Sequence, residues 1–143
     1  MNGKLGNRVF TAGGVFLLII GAVHSLSLFQ PIAAPDPAAQ QLVDLAASYK
    51  FNLMGTFRSL LELMRGFSIN FMLSAFGIGL LDLAVARERI GLMKRVALIN
   101  VLWLGVSLAV SLRYFFIVPT IFLSIALLLF LIAWFALPSD SKA

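Results

Sequence analysis

The feature that most constrains the fold is a set of long apolar runs that charged residues rarely interrupt. Val9–Phe29 extends for 21 residues without a formal charge, and Pro119–Leu137 extends for 19. Gly66–Ala86 and residues 96–118 contain one charged residue each. About 20 helical residues, each rising 1.5 Å, cross the roughly 30 Å hydrocarbon core of a membrane. We therefore predict a transmembrane helix in each of the four runs.

The apolar runs favour helices over strands. Backbone polar groups in hydrocarbon must be hydrogen-bonded within a helix or within a closed barrel. These runs are continuously apolar, whereas barrel strands alternate. The chain is 61% hydrophobic and 12% charged, whereas soluble domains are about 45–50% apolar and about 25% charged. We predict an all-α fold in one domain: an integral membrane four-helix bundle with a long extracytoplasmic loop, residues 30–65, between helices 1 and 2.

The basic residues predict the orientation in the membrane. A cytoplasmic N-terminus puts seven of the eleven basic residues inside, four of them in the short segment 87–95. Lys4 and Arg8 before an apolar run also fit a signal peptide, but this run exceeds the usual 7–15 residues and three more follow. We predict a multi-pass inner-membrane protein with both termini cytoplasmic. Its net charge of +5 then reflects topology and anionic lipid, without nucleic acid.

The connection at 30–65 has its own local signals. It opens with three prolines within seven residues, which excludes a helix at its start. At the end of this run, Asp36 or Pro37 can start a short helix through Gln40–Tyr49, which the spacing of apolar residues predicts. The same spacing predicts a second helix from Phe57 that continues into the second transmembrane helix. We expect these helices at the outer membrane interface. A plain loop is the alternative.

Polar side chains within the predicted spans are the candidate ligand-binding residues, because such groups are costly in hydrocarbon and usually face protein or water. Counted at 1.5 Å per residue, several lie at one level, about 20–25 Å from the cytoplasmic face. This outer polar layer consists of His24, Asn70, Ser111, Arg113, Thr120 and Ser124. A quinone, a haem or a lipid headgroup would be the ligand. The alternative is that these groups only bond to one another or, for Arg113, reach the headgroups.

A second polar layer lies about 6 Å from the inner face. It contains Asp82 and Asn100, which we predict to be a structural polar pair. Asp82 would bond to Asn100, Arg87 or Arg89, because a charge near a helix C-terminus needs a partner. A proton-handling role for Asp82 stays open.

The remaining sequence features argue against known catalytic sites. The chain has no cysteine and one histidine, and it carries no phosphate-binding loop and no zinc-protease motif. We predict no catalytic residues and no metal site, although an enzyme is not excluded. Three small-residue pairs, Gly21/Ser25, Ala75/Gly79 and Gly105/Ala109, predict close helix packing, either within the bundle or against a partner or second copy.

Two segments carry a resemblance to a known group of proteins. The chain resembles a family of small four-helix bacterial inner-membrane proteins in Gly21–Phe29, in the proline-rich exit that follows it, and in Met64–Asn70. The resemblance covers about the first 85 residues. It implies a bacterial inner-membrane location and a histidine in the first helix, and it implies no activity.

Three functions remain open at this point. The first is a non-catalytic accessory or scaffolding subunit that packs against a larger membrane complex, and the small-residue faces favour it. The second is a membrane protein that binds a small ligand, a quinone, haem or lipid, in the outer polar layer. The third is a small dimeric transporter, which would need a continuous polar path and broken helices.

Overall fold

The computed structural model describes residues 3–88 and 90–138. This part of the chain forms five helices and one hairpin, which are, in order, α1 (Gly3–Ser27), α2 (Pro37–Ser48), β1 (Lys50–Leu53), β2 (Thr56–Ser59), α3 (Leu60–Val85), α4 (Ile90–Tyr114) and α5 (Ile117–Ala136). Four of the described helices, α1, α3, α4 and α5, are long and apolar enough to cross a membrane by length and composition. The prediction of four long apolar helices is therefore confirmed.

The break between the last two helices falls earlier than predicted. We expected the third helix to reach Val118, but α4 ends at Tyr114 and α5 begins at Ile117. Proline has no N–H to donate and its ring clashes with the carbonyl four residues before it. For Pro119 that carbonyl belongs to Phe115, so a continuous helix has to break near this residue. Pro119 lies in the first turn of α5, where the missing N–H costs nothing.

The segment between α1 and α3 contains the predicted first helix. Asp36 caps α2, because its Oδ1 accepts a hydrogen bond from the N–H of Ala39 at 2.8 Å. Pro37 occupies the first helical position, for which its fixed φ angle is suited. No residue of α2 is buried.

The second helix in this segment starts later than predicted. Residues from Phe57 to Ser59 form strand β2, which pairs antiparallel with β1, and α3 begins only at Leu60. The two-residue turn between the strands has positive φ angles at Met54 (53°) and Gly55 (89°), and turns of this kind fit the twist of a hairpin. The helical spacing of Phe57 with Leu60 was therefore misleading.

A capping box starts helix α3. The N–H of Ser59 donates to Oε2 of Glu62 at 2.7 Å, and the N–H of Glu62 donates to Oγ of Ser59 at 3.2 Å. The side chains thus satisfy two backbone donors at the helix end. The Ser-x-x-Glu spacing in the sequence is the signal for this helix start, and the prediction of a helix from Phe57 did not include it.

The chain divides into two compact units. One unit joins Met1–Ile20 with Ala75–Ala143, and the other is Gly21–Ser74. We call them the first and the second unit, and the single-domain organisation stays a prediction. The core of the first unit contains Phe10, Leu17, Leu104 and Phe130, all nearly inaccessible to solvent. The rings of Phe10 and Phe130 meet edge to face, with centroids 5.6 Å apart.

Candidate functional site

Helices α1 and α3 approach closely within the first unit, at Gly14 and Gly79. A Cβ atom added at Gly79 would lie 2.8 Å from the carbonyl oxygen of Gly14. A Cβ added at Gly14 would lie 3.0 Å from Cβ of Asp82 and 3.3 Å from the carbonyl oxygen of Gly79. Only residues without a side chain allow this approach. The sequence indicated Gly79 through its pair with Ala75, which is buried, but Gly14 was missed.

The close contact lies beside the polar pair of the first unit. Asp82 on α3 is 1% exposed and Asn100 on α4 is 4% exposed. Nδ2 of Asn100 donates to both carboxylate oxygens of Asp82, at 2.9 and 3.0 Å. Arg87, the other described candidate partner, is exposed, and Arg89 lies outside the described residues.

This pair joins α3 to α4 through a fully buried hydrogen bond. A buried carboxylate is costly unless hydrogen bonds or charges compensate it. Here the compensation among the described residues comes from one amide. In the described part of the chain, Asn100 is the hydrogen-bond partner of the Asp82 carboxylate. The arrangement can fix two helices to each other and can hold a proton.

Four residues of the predicted outer layer lie in the first unit: Ser111, Arg113, Thr120 and Ser124. The hydroxyl of Ser124 donates to the backbone carbonyl oxygen of Thr120 at 2.8 Å. Ser111 and Thr120 share a hydrogen bond of 2.9 Å, which links α4 to α5. Ser111 is 2% exposed. Arg113 is exposed, and its guanidinium carbon lies 5.4 Å from the centre of the neighbouring Tyr114 ring. This exposure agrees with the alternative in which Arg113 reaches the headgroups, and its role as a ligand-binding residue stays a prediction.

The other two residues of the outer layer lie in the second unit. Asn70 is exposed, contrary to the inward orientation we expected. His24 is half-buried and its ring meets the edge of Phe71, with centroids 5.0 Å apart. Nε2 of His24 is buried and has no hydrogen-bond partner among the described residues. The expected hydrogen bond from Asn70 to this nitrogen is thus not formed, and the convergence of all the layer residues stays a prediction.

Two groups of glycines in the long helices contrast in their surroundings. Gly6, Gly13, Gly14 and Gly79 are approached so closely that a Cβ would lie 3.0 Å or less from a neighbouring atom. Around Gly66, Gly77 and Gly105, no atom beyond the local helix lies within 4 Å of an added Cβ in the described structure. The bundle packing suggested for the Gly105/Ala109 pair is therefore not found among the described residues of the first unit, where Gly105 has open space and Ala109 is exposed.

Comparison with known proteins gives no family assignment. No protein-family model, curated protein or solved structure matches this chain. Within the described residues, no three His, Cys, Asp or Glu side chains are grouped so that they could hold a metal ion. Any functional conclusion therefore depends on the chain's own geometry.

Proposed function

We propose that this protein is a small multi-pass protein of a bacterial inner membrane that serves as a non-catalytic accessory subunit of a larger membrane complex. Its transmembrane part would be a four-helix bundle with both termini cytoplasmic and the 30–65 connection outside. The resemblance of Gly21–Phe29 and Met64–Asn70 to small inner-membrane proteins supports the location. The four long apolar helices support membrane insertion.

The end of the first unit supports the orientation of the termini. A Cβ at Gly6 of α1 would lie 2.9 Å from the backbone nitrogen of Leu137, directly after α5. Nζ of Lys94 donates to the carbonyl oxygen of Leu137 at 2.8 Å. The starts of α1 and α4 and the end of α5 thus share one basic end, as expected for a cytoplasmic side.

The observation that carries the accessory role is the unpartnered glycine face of α4. Gly105 has open space around it and Ala109, one turn further on, is exposed. Lipid tails adapt to any apolar side chain, so a lipid-facing position gains nothing from glycine. Another helix does gain, because small residues let two backbones approach and pack by van der Waals contact. We infer that a helix of another protein packs on the Gly105/Ala109 face.

Substitutions at two glycines test this role. Gly105→Leu should abolish association with the partner and should not lower the thermal stability of the isolated chain. Gly79→Leu should unfold the chain, because its side chain would enter the backbone of α1. Val106→Leu is the matched control, since Val106 is exposed on the adjacent position of α4. The measurements are cross-linking in intact membranes, followed by the mass of the mild-detergent complex and a melting curve.

The outcomes separate the alternatives. The accessory role is supported if the wild type and Val106→Leu bind a partner protein at fixed stoichiometry and Gly105→Leu does not. A cross-linked product that contains only copies of this chain would replace the accessory role by a homo-oligomer. Equal melting losses for Gly105→Leu and Gly79→Leu, or a mass of 15.6 kDa for the cross-linked wild type, would contradict the proposal.

A reporter fusion tests the orientation separately. A reporter that is active only outside the cytoplasm should be silent when it is fused after Ala143. It should be active when it is inserted between Met54 and Gly55, at the exposed hairpin turn. The reverse pattern would overturn the proposed topology and would leave the accessory role to its own test.

A second candidate function comes from the unpaired nitrogen of His24. A buried imidazole nitrogen without a hydrogen bond is costly, and a bound quinone, haem or lipid would provide a partner. In that case the purified protein should carry a chromophore or an extractable quinone. His24→Gln should remove that ligand without changing the helicity. Purified protein with no such ligand would reject this candidate.

A further inference from the structure

A cavity lies beside the first two turns of α1, and the four residues that line it are of basic or polar type. Lys4, Asn7, Arg8 and Thr11 line it, and its volume is about 370 Å³. These residues are spaced three or four apart, so they share one face of the helix. The cavity opens at the surface beside the exposed guanidinium of Arg8.

Hydrogen bonding within the cavity wall engages the acceptors of Asn7. The hydroxyl of Thr11 donates to the backbone carbonyl of Asn7 at 2.9 Å and lies 3.3 Å from Oδ1 of Asn7. The acceptor atoms of Asn7 are thus engaged by Thr11, and its amide NH₂ remains a donor. Together with the guanidinium group of Arg8, this wall offers donors and positive charge.

The structure describes two acidic residues in the surrounding unit. Its described acidic residues are Asp82, which is bonded to Asn100, and Glu88, which follows α3 on the surface. Arg8 makes no ion pair or side-chain hydrogen bond with the described residues. The first turn of α1 has no acidic residue, and a negative group is favoured at this positive end of the helix dipole.

The apolar surface beside the cavity distinguishes between a lipid and a soluble anion. Ala12, Val15 and Ile19 are exposed and continue the face of Arg8 along α1, at offsets of four, seven and eleven residues. Arg8 also directly precedes the charge-free run that starts at Val9. A headgroup at Arg8 would therefore lie in the phosphate layer outside the hydrocarbon, and its acyl chain would lie along these apolar residues.

We propose that Lys4, Asn7, Arg8 and Thr11 form a binding site for the phosphate group of an anionic phospholipid in the cytoplasmic leaflet. Basic pockets at the cytoplasmic ends of transmembrane helices are suited to such headgroups. The site rests on the proposed membrane location and is independent of the accessory role.

Native mass spectrometry of the full chain in a neutral detergent tests the site. The chain is titrated with phosphatidylglycerol and, in parallel, with phosphatidylcholine. The test variant is Lys4→Gln/Arg8→Gln. The control is Lys50→Gln/Arg65→Gln, which removes the same charge from exposed residues of the second unit. Each basic residue near an anionic surface contributes about 1 kcal/mol, so the test variant should bind phosphatidylglycerol about 30-fold more weakly.

Several outcomes decide the proposal. A 30-fold loss in the test variant, with less than about threefold in the control, supports a specific site. Equal losses in both variants, or equal retention of the two lipids by the wild type, would overturn it. Should the double variant not fold, Arg8→Gln alone should weaken binding about fivefold, and unchanged binding would overturn the site.

Two further measurements are needed. One distinguishes a lipid phosphate from a soluble phosphate, and the other distinguishes the lipid site from the accessory role. Millimolar glycerol phosphate that displaces the lipid would overturn the lipid as ligand in favour of a soluble phosphate, and persistence of the lipid supports it. The Gly105→Leu chain should retain the lipid even where it loses its partner. Loss of the lipid in that variant would overturn the position of the site on α1.

Discussion

The contact between Gly79 and Gly14 allows a sharp test of which glycines hold the chain together. In Gly79→Ala, the new Cβ would lie 2.8 Å from a backbone oxygen of α1. Ordinary contact begins near 3.4 Å, so α1 and α3 have to separate by about 0.6 Å at this point. Because the clashing atom is backbone, rotation of a side chain cannot relieve the clash. Overpacking of this kind costs about 1–3 kcal/mol.

The matched variant is Gly105→Ala. Alanine gains about 0.5–1 kcal/mol over glycine within a helix, because it loses less backbone entropy. At Gly105 nothing opposes this gain, so the variant should be more stable than the wild type by about that amount. At Gly79 the gain offsets part of the clash, and the net result should be a loss of about 0.5–2 kcal/mol. The two variants should therefore shift stability in opposite directions.

The assay is reversible unfolding of the purified chain by increasing fractions of a denaturing detergent, followed by helical circular dichroism. The free energy of unfolding is compared for the wild type and both variants. Asn100→Ala supplies a further check, because its partner Asp82 lies one turn from Gly79. In the double variant Gly79→Ala/Asn100→Ala, the loss of unfolding free energy should differ from the sum of the two single losses. Equal shifts of the same sign for Gly79→Ala and Gly105→Ala would refute the assignment of these two glycines.

Other residues give independent predictions. Asn100→Ala should lower the free energy of unfolding by about 1–3 kcal/mol, since it leaves the Asp82 carboxylate buried without its donor; Asp82→Asn should cost less, as it keeps an acceptor. The same detergent titration compares them, and a larger loss for Asp82→Asn would contradict this. Met54→Asn should stabilise the hairpin by about 1 kcal/mol, because asparagine tolerates positive φ, and slower hydrogen exchange in β1 and β2 would show it. Ser59→Ala should cost about 1 kcal/mol and speed exchange in the first turn of α3; unchanged exchange there would contradict the capping box.

The sequence by itself determined the number and position of the long apolar helices. This was possible because helix formation depends on local backbone hydrogen bonds and on runs of apolar residues. It also located the start of α2, where Asp36 and Pro37 are local signals. The hairpin at Lys50–Ser59 was missed, because Met54-Gly55 carries only half of the usual turn signal and the apolar spacing around it also fits a helix.

Only the tertiary structure decided which faces of the helices are in contact. The pairs Ala75/Gly79 and Gly105/Ala109 are equivalent as sequence patterns, yet one lies against a neighbouring backbone and the other is open. Depth along a helix can be counted from the sequence, but the rotation of the helix about its axis depends on neighbours distant in the chain. For that reason Asn100 could be predicted only as one of several possible partners of Asp82. The exposure of Asn70 could not be predicted at all.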